Sequence, residues 1–438
     1  MSRPTTVEGW LALHQQVHPL AMDFTLERLR GVLQRLGLER APCPVFTVGG
    51  TNGKGSVTAY AEAILRAGGH RTGLFTSPHL LRYHERIRIA GEMVGDDDLL
   101  DAFAAVWDAC EAAPRITLTY FEHSLAAAVW LFNRAGVEAW VLEVGLGGRL
   151  DSVNLFDADA AAVVSIGLDH MAVLGPDVDS IAREKAGIFR PGAPAVCGPD
   201  VPASLHAAAM QVGARLLRAG HEYRMEPALA DASDPGSWRF RCGEIDWSGL
   251  PLPALAGPHQ IGNAAVALAL LMAGPPSLRP ARAAVEQGLR STRVLGRFER
   301  YGWQGREWVV DVAHNPPAAQ VLATALRALP PARTCYLLGV LADKDLDGIL
   351  AGLATGPAPL AGVALGLPGD RARSGAQLAA LAAGAGHPGF VAAESAVEAC
   401  ERVHATVGEG GRIVACGSFV LVAPVLEWLK SHGATRLD

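Results

Sequence analysis

Along the first half of the chain, short apolar runs that end in glycine or a polar residue alternate with stretches whose apolar positions recur at helical spacing. Val45–Val48 (VFTV) runs into Gly49-Gly50, and Val57, Ala61, Ile64 and Leu65 then mark one face of a helix that Gly68-Gly69 should end. Thr72–Ser77 (TGLFTS), Ala139–Val144 (AWVLEV) and Ala160–Ile166 (AAAVVSI) read as further strands, and Phe121–Phe132 has helical spacing. Strands alternating with helices predict an α/β fold, a mostly parallel sheet with helices on both faces. Ligands of such sheets gather at the carboxyl ends of the strands. Here those ends carry Lys54, Ser77, Glu143 and His170, a polar set that a plain core has no need of.

Residues 196–260 are less regular, with Pro and Gly clusters and scattered Trp, after which Asn263–Ala273 reads as one buried helix. A second α/β pattern begins near Gly296. EWVVDVAHNP, CYLLGVLADKD, GVALGLPG and GRIVACGS supply four strand candidates between Ala- and Leu-rich helices. Two domains are therefore expected, 1–293 with a P-loop-type sheet and 294–438 as a smaller Rossmann-like unit.

Composition narrows the class. Of 438 residues, 50% are hydrophobic and 19% charged, enough apolar material for ordinary cores. A net charge of −6 with no basic stripe argues against nucleic-acid binding. No apolar run reaches the ~18 residues of a membrane span, and MSRPTTVEGW has no apolar stretch of a secretion signal. Seven cysteines without a CxxC pair read as reduced thiols of a cytoplasmic protein rather than a disulfide frame or a zinc site. An intracellular enzyme is the expectation.

The sharpest local signal is Gly50–Ser56 (GTNGKGS), placed between a strand and a helix. Its glycines let backbone N–H groups close around phosphate oxygens, and Lys54 can reach the terminal phosphates. It differs from the common GxxxxGK[ST] loop, because Gly55 stands between Lys54 and Ser56. Glu143, at a strand end opposite this loop, is placed as a magnesium ligand would be. On local evidence His170 fits either a site residue or a structural hydrogen-bonder, and Ser77 either a ligand or the turn before Pro78. Lys185 beside Glu184 reads locally as a helix-surface lysine. No Ser-His-Asp or reactive-Cys arrangement offers a side-chain nucleophile.

GTNGKGS (50–56), SPHLLRYHERI (77–87), TYFE (119–122), LEVGLGGRLDSVN (142–154), GLDH (167–170), EKAGIFR (184–190), GRFE (296–299) and DVAHNP (311–316) occur in this order. From about His18 to Phe419 the chain resembles the dihydrofolate synthase/folylpolyglutamate synthase family, in the wider Mur ligase superfamily. The resemblance implies that Thr51, Asn52, Gly53, Lys54, Gly55 and Ser56 bind the phosphates of ATP. Asn263, Arg297, Asp311 and His314 would complete a nucleotide site shared by the two domains. Ser77, Glu143 and His170 would hold Mg2+, as two ions, and Lys185 would be N-carboxylated, so that Lys54, Glu143, His170 and Lys185 form the catalytic set. Ala21, Met22, Asp23, Thr119, Tyr120, Phe121, Glu122, Leu150, Asp151 and Ser152 would hold the dihydropteroate. Two segments depart from the family. HPLAMD places Ala21 where bifunctional bacterial members carry Thr, and MAVLG after His170 stands where relatives often have Asp and Trp.

The implied reaction is ATP-driven amide formation by a monomeric cytoplasmic enzyme. L-Glutamate would be joined to 7,8-dihydropteroate, and further glutamates to reduced folates, through an acyl phosphate. Other readings are a ligase limited to folate extension, a cell-wall ligase, which TYFE and LGGRLD disfavour, and a P-loop switch protein. The last predicts an [NT]KxD motif that the sequence lacks.

Overall fold

Val45 to Gly49 are all buried, as are Ala139 to Glu143, which is what strands covered on both faces require. The computed structural model describes residues 3–20, 22–227, 236–369 and 371–437. They divide into two compact units, Met1–Ala254 with Ile261–Thr292, and Leu255–Gln260 with Arg293–Asp438.

The sheet of the first unit has eight strands: β1 (Val45–Gly49), β2 (Thr72–Phe75), β3 (Ile87–Ile89), β4 (Glu92–Met93), β5 (Ala139–Glu143), β6 (Ala160–Ser165), β7 (Pro194–Asp200) and β8 (Arg215–Arg218). Their order is β4-β3-β2-β5-β1-β6-β7-β8. From β2 to β8 all neighbours are parallel, and β3 and β4 add an antiparallel edge. Val48 pairs with Glu143 and Gly49 with Val163, so β1, β5 and β6 end at one level.

The helices that matter for the site are α1 (Val7–Val17), α2 (Glu27–Leu36), α3 (Lys54–Ala67), α4 (Asp96–Glu111), α5 (Tyr120–Ala135), α6 (Met171–Leu174) and α7 (Val178–Ala186). Trp10, Leu33, Phe103 and Leu125 of α1, α2, α4 and α5 pack in one core with Phe75, Trp140 and Leu142 of the sheet. Ala182 and Ala186 of α7 share a second core with Ala161 and Val163. Thr119 starts α5 through a capping box: its hydroxyl accepts from the N–H of Glu122 (3.3 Å), whose carboxylate accepts from the N–H of Thr119 (2.7 Å).

The described residues of the middle segment form more regular structure than its Pro and Gly content suggested. β7 and β8 extend the main sheet, and β9 (Tyr223–Pro227), β10 (Ser237–Cys242) and β11 (Ile245–Pro251) form an antiparallel sheet of their own.

In the second unit the strands are β12 (Glu299–Trp303), β13 (Arg306–Val310), β14 (Thr334–Leu338), β15 (Ala361–Leu365), β16 (Gly389–Ala393), β17 (Arg412–Cys416) and β18 (Thr435–Arg436). The four expected strands are β13, β14, β15 and β17, and the sheet runs β16-β15-β14-β17-β13-β12-β18. β12 and β18 form an antiparallel edge. Among the described residues no helix is long and apolar enough to cross a membrane, and all seven cysteines are unpaired.

Candidate active site

The turn after β1 brings the phosphate-loop residues to the head of α3. Gly53, at φ +83°, precedes Lys54, and no side chain caps the helix, so its first amides face the loop. A Cβ on Gly53 would lie 2.7 Å from Asn263 Oδ1, which places Asn263 against the loop. Thr51 and Asn52 are tied to the end of β6 and the segment just after it. The Thr51 N–H donates to Ser165 O (2.8 Å), its hydroxyl to Gly167 O (3.2 Å), and the Asn52 N–H to Ser165 Oγ (3.0 Å).

Two lysines share one acceptor here. Lys54 Nζ donates to Gly50 O (2.9 Å) and Thr51 O (3.2 Å), and Lys185 Nζ donates to the same Gly50 O (3.0 Å). The surface reading of Lys185 is thereby corrected. It is 4% exposed, while its neighbour Glu184 turns away to Arg149 (3.1 Å). Burial and then the charge of Lys54 bring the Lys185 amine down to about 7, against the opposing pull of Asp169, Asp151 and Glu184. The lysine is held by its backbone as well. A Cβ on Gly148 would lie 2.9 Å from the carbonyl oxygens of Glu184 and Lys185, and one on Gly187 would lie 2.4 Å from Arg149 Cβ. The loop 147–151 and the end of α7 thus interlock main chain to main chain.

Glu143 is buried at the end of β5, and a Cβ on Gly55 would lie 3.7 Å from its Oε2, so the carboxylate faces the first turn of α3. The Ser77 N–H donates to that Oε2 (3.3 Å). His170 has φ +51° just before α6, with its Nε2 3.9 Å from Asp169 Oδ1. Among the described residues no three His, Cys, Asp or Glu side chains form a ready-made metal cage. The buried Glu143 carboxylate, facing the first turn of α3, suits a hard cation that takes its remaining oxygens from a nucleotide and water.

Two residues beyond Glu143 stands Gly145. A Cβ there would come within 2.7 Å of the Phe121 ring and 3.3 Å of Asp151 Oδ2, so both side chains close on this glycine. Asp151 accepts from the N–H groups of Leu146 (2.8 Å) and Val153 (2.9 Å), and burial raises its carboxyl to about 6 against those bonds. Leu150 is half-buried and Ser152 buried beside it.

Glu122, 1% exposed, meets Arg28 through both oxygens (3.0 and 3.1 Å), and Arg28 also pairs with Asp23 (2.7 Å). Hydrogen bonds from Arg28 and Thr25 hold the Asp23 carboxyl down at about 2. Arg28 thus bolts the segment that carries Met22 and Asp23 to the head of α5. Met22 itself is 57% exposed, and Ala21 lies outside the described residues. Removing one partner of a buried pair strands the other charge. Arg28→Met should therefore cost about 3 kcal/mol in urea unfolding, with Glu122→Gln on that background recovering part of the loss. A cost under about 1 kcal/mol, the usual worth of a surface pair, would show the bolt to be dispensable.

In the second unit, Arg297 stacks on Phe419 (5.4 Å) and the His314 ring lies 5.7 Å from the same phenyl. Asp311 accepts from the N–H groups of Phe298 (2.8 Å) and Ala313 (2.9 Å), and burial raises its carboxyl while Arg297 opposes the rise. Burial and then the Arg297 charge hold His259 at about 4. Sequence reasoning passed over His259, Asp169, Arg28 and Arg86. Asp169 had a signal, its place in GLDH; Arg28 had none in any motif.

The Mur ligase middle domain matches residues 48–271, and the Mur ligase glutamate ligase domain matches 296–419. The dihydrofolate synthase/folylpolyglutamate synthase of Escherichia coli (strain K12) is 39% identical over 432 residues, 97% of this chain and 96% of that protein. The chain belongs to the dihydrofolate synthase/folylpolyglutamate synthase family of Mur ligases. Within it, the structure of E. coli FolC in complex with DHPP and ADP superposes with a TM-score of 0.88 at 38% identity, covering 98% of each chain. A bifunctional folylpolyglutamate synthase/dihydrofolate synthase with Mn, AMPPNP and L-glutamate bound gives 0.85 at 36%, covering 97% of this chain and 98% of that one. In this family's layout the middle domain carries Lys54, Glu143, Lys185 and Asn263, and the glutamate ligase domain carries Arg297, Asp311 and His314.

Proposed function

We propose that this chain joins L-glutamate to 7,8-dihydropteroate, and further glutamates to reduced folates, at the cost of ATP. One observation carries the site: Gly145, on which Phe121 and Asp151 close, lies two residues from Glu143, which faces the phosphate loop. A flat bicyclic ring and a triphosphate are thereby gripped by one strand end, with the substrate carboxylate between them.

The substrate carboxylate attacks the γ-phosphorus, ADP leaves, and the amine of glutamate then displaces phosphate from the acyl carbon. Lys54 and the first amides of α3 hold the phosphates and lower the repulsion between the two anions. Gly53, Gly55, Ser56, Thr51 and Asn52 shape that loop, and Asn263 buttresses it. Ser77, Glu143 and His170 would hold Mg2+, as two ions, which when bound screen the phosphate charge. Lys185, carboxylated, would serve the same group. Arg297, Asp311 and His314 are assigned a share in nucleotide binding on their motifs. The polar atoms of Thr119 and Glu122 are engaged in the helix cap and with Arg28, which leaves Tyr120 and Phe121 as the ligand-facing part of TYFE. Asp151 keeps lone pairs for the pterin N–H groups. Seven unpaired thiols suit a reducing compartment, and we place the enzyme in the cytoplasm, acting as a monomer.

The test offers ATP, magnesium and glutamate with either dihydropteroate or a reduced folate and identifies products by mass. Both should gain glutamate. Phe121→Ala should raise KM for dihydropteroate about tenfold, the scale of a lost aromatic stack, and leave KM for ATP unchanged. Extension of reduced folates with dihydropteroate untouched at saturation would leave a single-activity ligase.

A further inference from the structure

Arg86 lies at the end of the 3-10 turn Tyr83–Arg86 that leads into β3, and it is 8% exposed. Its Nε donates to His79 Nδ1 (2.8 Å), and its guanidinium lies over the rings of Tyr83 (5.7 Å) and Tyr120 (5.4 Å). Among the described residues no carboxylate pairs with it. The neighbouring acids are engaged elsewhere. Glu85 accepts from the N–H groups of Leu80, Leu81 and Arg82 (2.7 to 2.8 Å), Asp96 meets His84 (2.6 Å), and Glu122 meets Arg28. Burying a guanidinium without a counter-ion is costly, and among the described residues the groups set against it are two ring faces and one imidazole.

The surroundings say what would balance the charge. The Nδ1 of His79 accepts from Arg86 Nε, the role that a guanidinium, which has only donors, requires of a neighbour. His79 follows Ser77 by two residues, and Ser77 donates to Glu143 on the phosphate side. Tyr120 precedes Phe121, which closes on Gly145 on the ring side. Arg86 is therefore held by His79, two residues after Ser77, and by Tyr120, next to Phe121, so it joins the chain segments that the proposed function gives to the metal and to the ring.

We infer that Arg86 is the receptor for the substrate carboxylate, its two Nη groups forming the fork that Tyr83, Tyr120 and His79 hold in place. The inference rests on the function proposed above. It assigns Arg86 a fixed, planar donor pair matched to a carboxylate, which a lysine cannot reproduce.

The test compares binding of dihydropteroate with that of its neutral carboxamide, by calorimetry in the absence of nucleotide. The wild-type protein should prefer the acid by at least about tenfold, the worth of one charge-assisted pair. Arg86→Met should cut that preference to about twofold or less, and Arg86→Lys should fall between. Thermal unfolding supplies the second readout. A merely structural arginine would lower Tm when removed, whereas loss of an unbalanced buried charge should leave the Tm of Arg86→Met equal to or above the wild type. If Arg86→Met keeps the preference for the acid, the proposal is overturned and glutamate ligation stands. If the wild-type protein binds neither ligand, the proposed function falls and takes this assignment with it.

Discussion

Replacing Lys54 with alanine should cut glutamate ligation at least about a hundredfold, the usual scale for losing one preorganised charge stabiliser, and leave the fold standing. Lys54 begins α3, and its ammonium bends back to the carbonyls of Gly50 and Thr51, so its charge sits over the loop that would cradle the phosphates. The stability cost should be small, because the same charge is one of the two causes that depress Lys185. Removing it relieves a buried like-charge contact while two hydrogen bonds are lost. Steady-state turnover and thermal unfolding check the two halves. Turnover within tenfold of wild type would move the phosphate site elsewhere.

Carbon dioxide should control activity through Lys185. An uncharged amine adds to the carbon of CO2 and releases one proton, leaving an N-carboxylate where a cation stood. With its pKa near 7, Lys185 is about half uncharged at neutral pH, whereas an ordinary lysine is almost wholly protonated. Protein stripped of CO2 should lose activity and regain it with bicarbonate. Lys185→Ala should fall at least about a hundredfold and not respond. Labelling by 13C-bicarbonate should rise as pH climbs through 7. Stability offers a separate sign. The unfolded chain holds this proton up to about 10.5 and the folded protein only to about 7, so unfolding binds a proton between those values. In CO2-free buffer the folded state should gain stability with rising pH over that window, and Lys185→Met should flatten the gain. An unmodified lysine in fully active protein would end the idea.

The half of the site built on parallel strands could be read from the sequence because buried parallel strands are apolar runs cut short by glycine. VFTV-GG and AWVLEV announce β1 and β5, and so place Lys54 and Glu143. β8 (Arg215–Arg218) could not be read this way, since an edge strand with arginines at both ends carries no apolar run. Lys185 also misled, because charge and a neighbouring Glu184 describe a surface helix until α7 is packed with that lysine inward. The bond from Arg28 to Glu122 joins residues 94 positions apart, a pairing that no local pattern encodes. TYFE carried a second signal that the motif reading did not use: its Thr and Glu three apart spell a helix start, and the structure uses them for that.

The interlock of Gly148 and Gly187 with the end of α7 has a consequence for how this gene can drift. Every single-base change in a glycine codon that alters the residue either adds a Cβ or ends the chain. At these two positions an added Cβ would meet main-chain atoms and the root of Arg149, which have no rotamer to escape into. Both positions should therefore stay glycine as surrounding loops diverge. Substitutions that tune substrate choice have to arise at side chains around the cradle, because the cradle offers no neutral step of its own.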